Sequence, residues 1–246
     1  MTDAMRSEWV KLTTLRSNRS SLFFYVLVCL SVNGLFSSLS RGRHHPHDSV
    51  DAIGLGFAGL QTGMILMVIV AVLAITGEYT TGTIKSSLLA TPNRRTFYAG
   101  KVLTIATVAG ALSAVVSVAG FFLSQSVLGS FGVPFDGDIL GRMIGGVLYT
   151  TLLALFSLGL GTVLKSSTVT LGTLIPLFFM LSTMLNSIPA THKVAQFLPD
   201  MAGSLILRRD IPADTLLNGW TGTAVLAAWA IAALLAGYTA LERRDA

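Results

Sequence analysis

"GEYTTGTIKSSLLATPNRRTFYAGK", residues 77–101, is a polar interruption between two of the most apolar segments of the chain. It carries one acid (Glu78), four bases (Lys85, Arg94, Arg95, Lys101), Pro92 and the pair Gly82-Thr83. Residues 83–90 suffice for two helical turns, with Ile84 and Leu88 on one face and Leu89 beside them. Thr80 or Thr81 can cap that helix, Pro92 can end it, and Glu78 stands where a carboxylate favours the positive end of the helix dipole. The expectation is a rigid helix over 80–91, tied at both ends to long apolar segments.

Composition says what those segments are. Of 246 residues, 52% are hydrophobic and 12% are charged, whereas a soluble domain is about a quarter charged. Mean hydropathy is +0.69. The solvent for most of this chain is therefore lipid. Six stretches can cross a hydrocarbon core of about 30 Å, near 22–39, 55–76, 102–128, 143–164, 168–187 and 220–240, and none contains Asp, Glu, Lys, Arg or His. The first has a long basic preface and no small-residue cleavage site, so it reads as a retained span. The fold class is all-α, a single polytopic transmembrane domain. Cys29 is the sole cysteine, inside an apolar run, so no intrachain disulfide forms.

The bases orient these spans. Arg6, Lys11, Arg16, Arg19, Lys85, Arg94, Arg95, Lys101, Lys165, Arg243 and Arg244 fall on one side, and both termini lie with them. The other side holds Arg41, Arg43, Arg142, Lys193, Arg208 and Arg209, with most of the acids. The first side is the cytoplasmic one, in a plasma or inner membrane. The net charge of +5 follows this pattern and does not mark a nucleic-acid surface. Within residues 1–21, Met5, Trp9 and Leu12 recur at helical spacing, while Arg6, Lys11 and Asn18 fall elsewhere on the wheel. That suits an amphipathic helix in the interface, with Trp9 at headgroup depth, or a basic orientation-setting leader, and the two are compatible.

Outside the spans, "RGRHHPHDSVD", residues 41–51, clusters His44, His45 and His47 with Asp48 and Asp51. A solvated outer loop explains it better than a metal site, because Pro46 interrupts it and no further ligand is near. Residues 188–219 are long for a structureless loop and carry an apolar series from Val194 to Leu207, so short outer-side helices are expected. Gly59 with Gly63, and Gly141 with Gly145, are spaced for close helix approach.

Missing chemistry narrows the function. An ion-coupled carrier keeps ionisable groups inside its spans, and an intramembrane hydrolase needs paired acids, a metal set, or a nucleophile with a base. The spans supply none of these. The nearest echo of a phosphate-binding loop is Gly100-Lys101, but Val102 follows and Arg95 occupies the first glycine position. A transporter without coupling charges or an ATP site borrows its energy or is passive.

Acid, Gly-Thr, apolar helix, Pro, basic pair and Gly-Lys, in that order, resemble the membrane subunit of type 2 ABC transporters, the ABC-2 permease family. The likeness extends over the whole chain, through "MRSEWVKLTTLRSNRSS", six spans and "FLPDMAGSL" before the last. It implies that the first cytoplasmic loop carries a coupling helix that docks on a separate ATP-binding subunit. Glu78, Gly82, Thr83, Ile84, Lys85, Leu88 and Leu89 would form this element, and Pro92, Arg94 and Arg95 its exit, touching the ATPase or lipid phosphate. Trp9, Lys11, Leu12 and Arg16 would belong to the interfacial connecting helix. The second and fifth spans would line a path between two permease subunits, with Leu60, Gln61, Met64 and Met67, then Phe178, Met180, Leu181, Met184 and Asn186. The implied machine is an exporter of a hydrophobic or amphipathic cargo, with two permeases and two ATPases; ATP and Mg bind the ATPases, and this chain is not itself an enzyme. The rival reading is a passive pore or a membrane-anchored interaction protein without nucleotide coupling.

Overall fold

Each apolar stretch folds as a helix because a backbone in hydrocarbon has to satisfy its own N–H and C=O groups. A computed structural model of the chain describes residues 16–43, 51–90, 93–188, 191–209 and 215–243. The helices are α1 (Arg16–Arg43), α2 (Ala52–Thr80), α3 (Ile84–Ala90), α4 (Arg94–Leu128), α5 (Gly137–Leu164), α6 (Ser167–Ser187), α7 (His192–Ala195), α8 (Pro199–Ser204) and α9 (Gly219–Arg243). Six of them, α1, α2, α4, α5, α6 and α9, are long and apolar enough to span a membrane, and no strand occurs among the described residues. Their starts are written in the sequence: Asp51, Asn93, Asp136 and Ser166 each accept a first-turn N–H of α2, α4, α5 and α6. Trp9, Lys11, Leu12 and the three clustered histidines lie outside the described residues, and Arg16 opens α1.

Helix α2 packs against α1, α4 and α5, and α5 carries α9 on another face. The contact between α1 and α2 is close because of two glycines. A Cβ on Gly59 would strike the Cys29 carbonyl, and one on Gly63 would strike the Cys29 sulfur. Gly145 meets Ile206 in the same way, but Gly141 has open space around it, so only one of the two spaced pairs serves at both positions. Two polar contacts in the same core cross between helices. The Gly59 N–H donates to Asn33 Oδ1 at 2.7 Å, and the Ser37 and Ser124 hydroxyls lie 2.6 Å apart, joining α1 to α4.

Helix α6 is interrupted by a π turn at Leu177–Leu181, directly after Pro176. Proline has no N–H to donate, and its ring crowds the carbonyl four residues back, so the helix widens there. The next residue, Ser182, donates to Asp200 Oδ1 at 2.8 Å and so ties α6 to α8. The segment between α6 and α9 thus packs back on the bundle: residues 202–207 are buried, and the Trp229 indole N–H donates to the Phe197 carbonyl.

Two outcomes follow from this packing. Gly63→Val forces α1 away from α2 and is expected to destabilise the protein by about 1–3 kcal/mol, read as a lowered midpoint in detergent unfolding. Burial pushes the Asp200 carboxyl up to about 6, with the Ser182 hydroxyl opposing. A raised acid favours the protonated folded protein, so its contribution is fully present below the ordinary value of about 4 and is lost as pH rises through about 6. Thermal unfolding between pH 4 and pH 8 should therefore fall with pH in wild type, and Asp200→Asn should flatten that slope.

Candidate functional site

Glu78 sits in the last turn of α2 and Lys101 two turns into α4, both buried, at 9% and 2% exposure. The Lys101 Nζ donates to Glu78 Oε1 at 2.9 Å and to the Ala74 carbonyl at 3.0 Å, and it lies 5.3 Å from the centre of the Phe97 ring. A buried ammonium survives only when such partners replace its water. This pair clamps together the ends of α2 and α4 that frame the loop.

Between the clamped ends the chain turns sharply. The Thr81 N–H closes α2 on the Gly77 carbonyl, and the Thr81 and Thr83 hydroxyls are 2.8 Å apart. Gly82 has φ +69° with nothing near its missing Cβ, so the glycine is required by the backbone and not by crowding. Helix α3 then begins at Ile84. Ile84 is 3% exposed and part of the bundle's own hydrophobic core, whereas Leu89 is 81% exposed.

The exit from the loop is equally constrained. Asn93 Oδ1 accepts the N–H groups of Arg95 and Thr96 and starts α4. Arg94 Nη1 donates to the carbonyls of Leu241 (2.6 Å) and Glu242 (3.2 Å), and Arg95 Nε donates to the Tyr238 hydroxyl at 2.8 Å. Tyr238 in turn donates to Glu242 Oε1 at 2.6 Å. At the C-terminal turn of α9 the Arg94 guanidinium satisfies carbonyls that have no helical partner and meets the negative end of the dipole.

These positions correct the sequence expectations in detail. Glu78 does not serve the dipole of α3; it belongs to α2 and faces Lys101. Thr81 closes α2 rather than opening α3, whose described residues are Ile84–Ala90. Ile84 points into the bundle's own core, whereas Leu89 is exposed. Arg94 and Arg95 hold α9. Lys101 is no loop residue, because α4 starts at Arg94 rather than at 102. Lys85 and Leu88 belong to α3, and Pro92 lies outside the described residues.

The expected path residues divide by helical phase. Leu60, Met64, Met67 and Phe178 are buried within the bundle; Met64 accepts the Tyr149 hydroxyl, and the Phe178 ring packs beside Phe156. Gln61, Met180, Leu181 and Met184 are exposed, and Asn186 is half-buried. The first set packs the core and only the second is open to a partner or cargo. Sequence reading missed Tyr238 and Glu242, although their four-residue spacing on the last helix puts them on one face. It also missed the link from Glu78 to Lys101, for which an acid and a base flanking one loop were the available signal.

Breaking the clamp has a defined signature. Lys101→Met removes the ammonium that Glu78 Oε1 accepts from and is expected to cost about 3–5 kcal/mol. The double replacement Glu78→Gln with Lys101→Met should recover much of that loss in denaturant unfolding. Additive losses in the two single variants would show that the groups act separately.

Residues 57–246 match the family model described as ABC-2 family transporter protein. Among curated proteins none matches the chain. The matched range takes in most of α2, the clamp, α3, the arginine ties to α9 and all the later helices. With six spans and this match, the chain belongs to the ABC-2 transporter family as a membrane-spanning permease.

Proposed function

We propose that this permease is the membrane subunit of an ATP-driven exporter, and that α3 is the helix through which a separate ATP-binding subunit moves it. The observation that carries this reading is the mounting of α3. It is rooted inward by Ile84, exposes Leu89, and lies between helix ends locked by Glu78 and Lys101. A push on α3 reaches α2 and α4 together through that pair, and reaches α9 through Arg94. A loop that served only as a basic topological anchor has no need of such bracing.

In this reading the face bearing α3 is cytoplasmic, as are both termini, in a plasma or inner membrane. Two copies of the permease, or this one and a homologue, pair with two ATPases that bind ATP and Mg. ATP-driven closure brings the two α3 helices together and switches a path between the permeases from inside-open to outside-open. Gln61, Met180, Leu181, Met184 and Asn186 are the side chains available to that path. Methionine-rich, sparsely polar walls suit a hydrophobic or amphipathic cargo such as a drug-like natural product, a peptide or a lipid.

The test is co-purification from gently solubilised native membranes through a C-terminal tag. Wild type should bring down a P-loop ATPase. Leu89→Asp leaves the bundle intact, since the side chain is exposed, yet removes an apolar contact; it should weaken the association at least tenfold, as expected for loss of about 1.5–3 kcal/mol. Stable insertion of wild type with no ATPase, together with nucleotide-independent flux through the purified chain, would overturn the proposal in favour of a passive pore.

A further inference from the structure

Helix α2 contains a single side-chain amide, Gln61, and it is exposed. It lies about 14 Å along the axis from the start of α2, within the depth of the hydrocarbon. An amide turned toward lipid tails forfeits its hydrogen bonds, so its surroundings need an explanation. They are supplied by a cavity of about 410 Å³ that runs from Gln61 to the end of the bundle opposite α3. One wall is α2 with its cap, including Asp51, Leu55 and Gln61; the other is the turn after α8, with Leu207, Arg208 and Arg209.

Among the described residues lining this mouth, two bases stand against one acid. Asp51 is already engaged, its Oδ1 accepting the Gly54 N–H at 2.9 Å. Arg208 and Arg209 line the opposite wall, and among the described residues no hydrogen bond engages either guanidinium. The backbone that carries them is tethered: Arg142, itself paired with Asp138 at 2.9 Å, donates through Nη1 to the Arg208 carbonyl. Buried Leu207 stands just before them. The cavity therefore combines a cationic mouth, apolar flanks and a hydrogen-bonding group one headgroup deeper, within the size range of small-ligand sites.

We propose that this cavity binds an amphiphile by its anionic headgroup, a phosphate or a carboxylate. Arg208 and Arg209 take the charge, Gln61 takes a polar atom below it, and the tail follows Leu55 and Leu207 toward the bilayer. Guanidinium groups suit either anion because their parallel N–H groups match a pair of oxygens. The site deepens the exporter reading by naming the cargo's charge, and it rests on that reading only for the direction of movement. The headgroup belongs either to cargo leaving the path or to a resident anionic phospholipid.

The experiment uses the full chain in zwitterionic nanodiscs and two fluorescent probes, dansyl-undecanoic acid and its methyl ester. Wild type should bind the acid at least about tenfold more tightly than the ester. Arg208→Gln with Arg209→Gln should abolish that preference, and Gln61→Leu should weaken both probes while retaining it. If the double variant elutes aggregated, Arg209→Gln alone carries the test, since that side chain is exposed. Equal binding of acid and ester to wild type, or an undiminished preference in the arginine variants, overturns the proposal. No nucleotide or ATPase enters this measurement, so its failure leaves the exporter reading standing, and the reverse also holds.

Native mass spectrometry with the ATP-driven flux of the acid in the assembled complex then separates the two sources. Phosphatidylglycerol retained by wild type and lost from the double variant supports the site as a lipid seat. Flux that falls in the double variant, with no retained lipid, supports it as a cargo site.

Discussion

The pairing of Lys101 with Glu78 organises the end of the bundle where the loop emerges. An ammonium and a carboxylate this deeply buried cost the fold a great deal unless they meet, and here they meet at 2.9 Å with the Ala74 carbonyl and the Phe97 ring beside the ammonium. Because the two groups come from α2 and α4, the interaction sets the spacing of the helices that bracket α3. Everything attributed to α3 depends on that spacing. A short helix on loosely held ends would absorb a displacement locally; on clamped ends it passes the displacement on.

A second set of contacts extends the same logic to α9. Arg94 and Arg95 close the terminal carbonyls and the Tyr238–Glu242 pair of that helix. The loop is thereby connected to three spans instead of two. At the other end of the molecule the ties include Gln125 donating to the Ala52 carbonyl, Ser182 to Asp200 and Arg142 to the Arg208 carbonyl. Between these ends, Gly59 and Gly63 let α1 lie against α2 closely enough for backbone to meet backbone. Lipid offers no hydrophobic push between helices, so such close packing is a main source of association.

Much of this was legible in the residues. Spans follow from apolar runs, and the helix starts from Asp51, Asn93, Asp136 and Ser166. The glycine of Gly82-Thr83 announces a left-handed turn that only glycine takes easily. The short helix was legible as well, but its start was not, because Thr80 and Thr81 read equally as an opening cap or as the close of the preceding span. The larger misreadings share one cause. Glu78 and Lys101 read as parts of a polar loop because charge marks the boundary of a span, and a charge that finds its counter-charge on another helix need not end one. Ile84 and Leu89 are both apolar on one short helix, and no local pattern tells which of them points home.

The sequence by itself determined that the chain is a six-span helical membrane protein with a helix-bearing polar loop, since length, hydropathy and capping act through near neighbours along the chain. Tertiary structure alone decided which loop charges are buried, which of Leu60, Gln61, Met64 and Met67 face the core, and that Gln61 shares a cavity with Arg208 and Arg209. Those outcomes depend on the rotation of each helix about its axis and on partners more than a hundred residues apart, such as Arg94 with Leu241. Hydropathy carries no information about that rotation when lipid and protein core are equally apolar, so packing between helices supplies it.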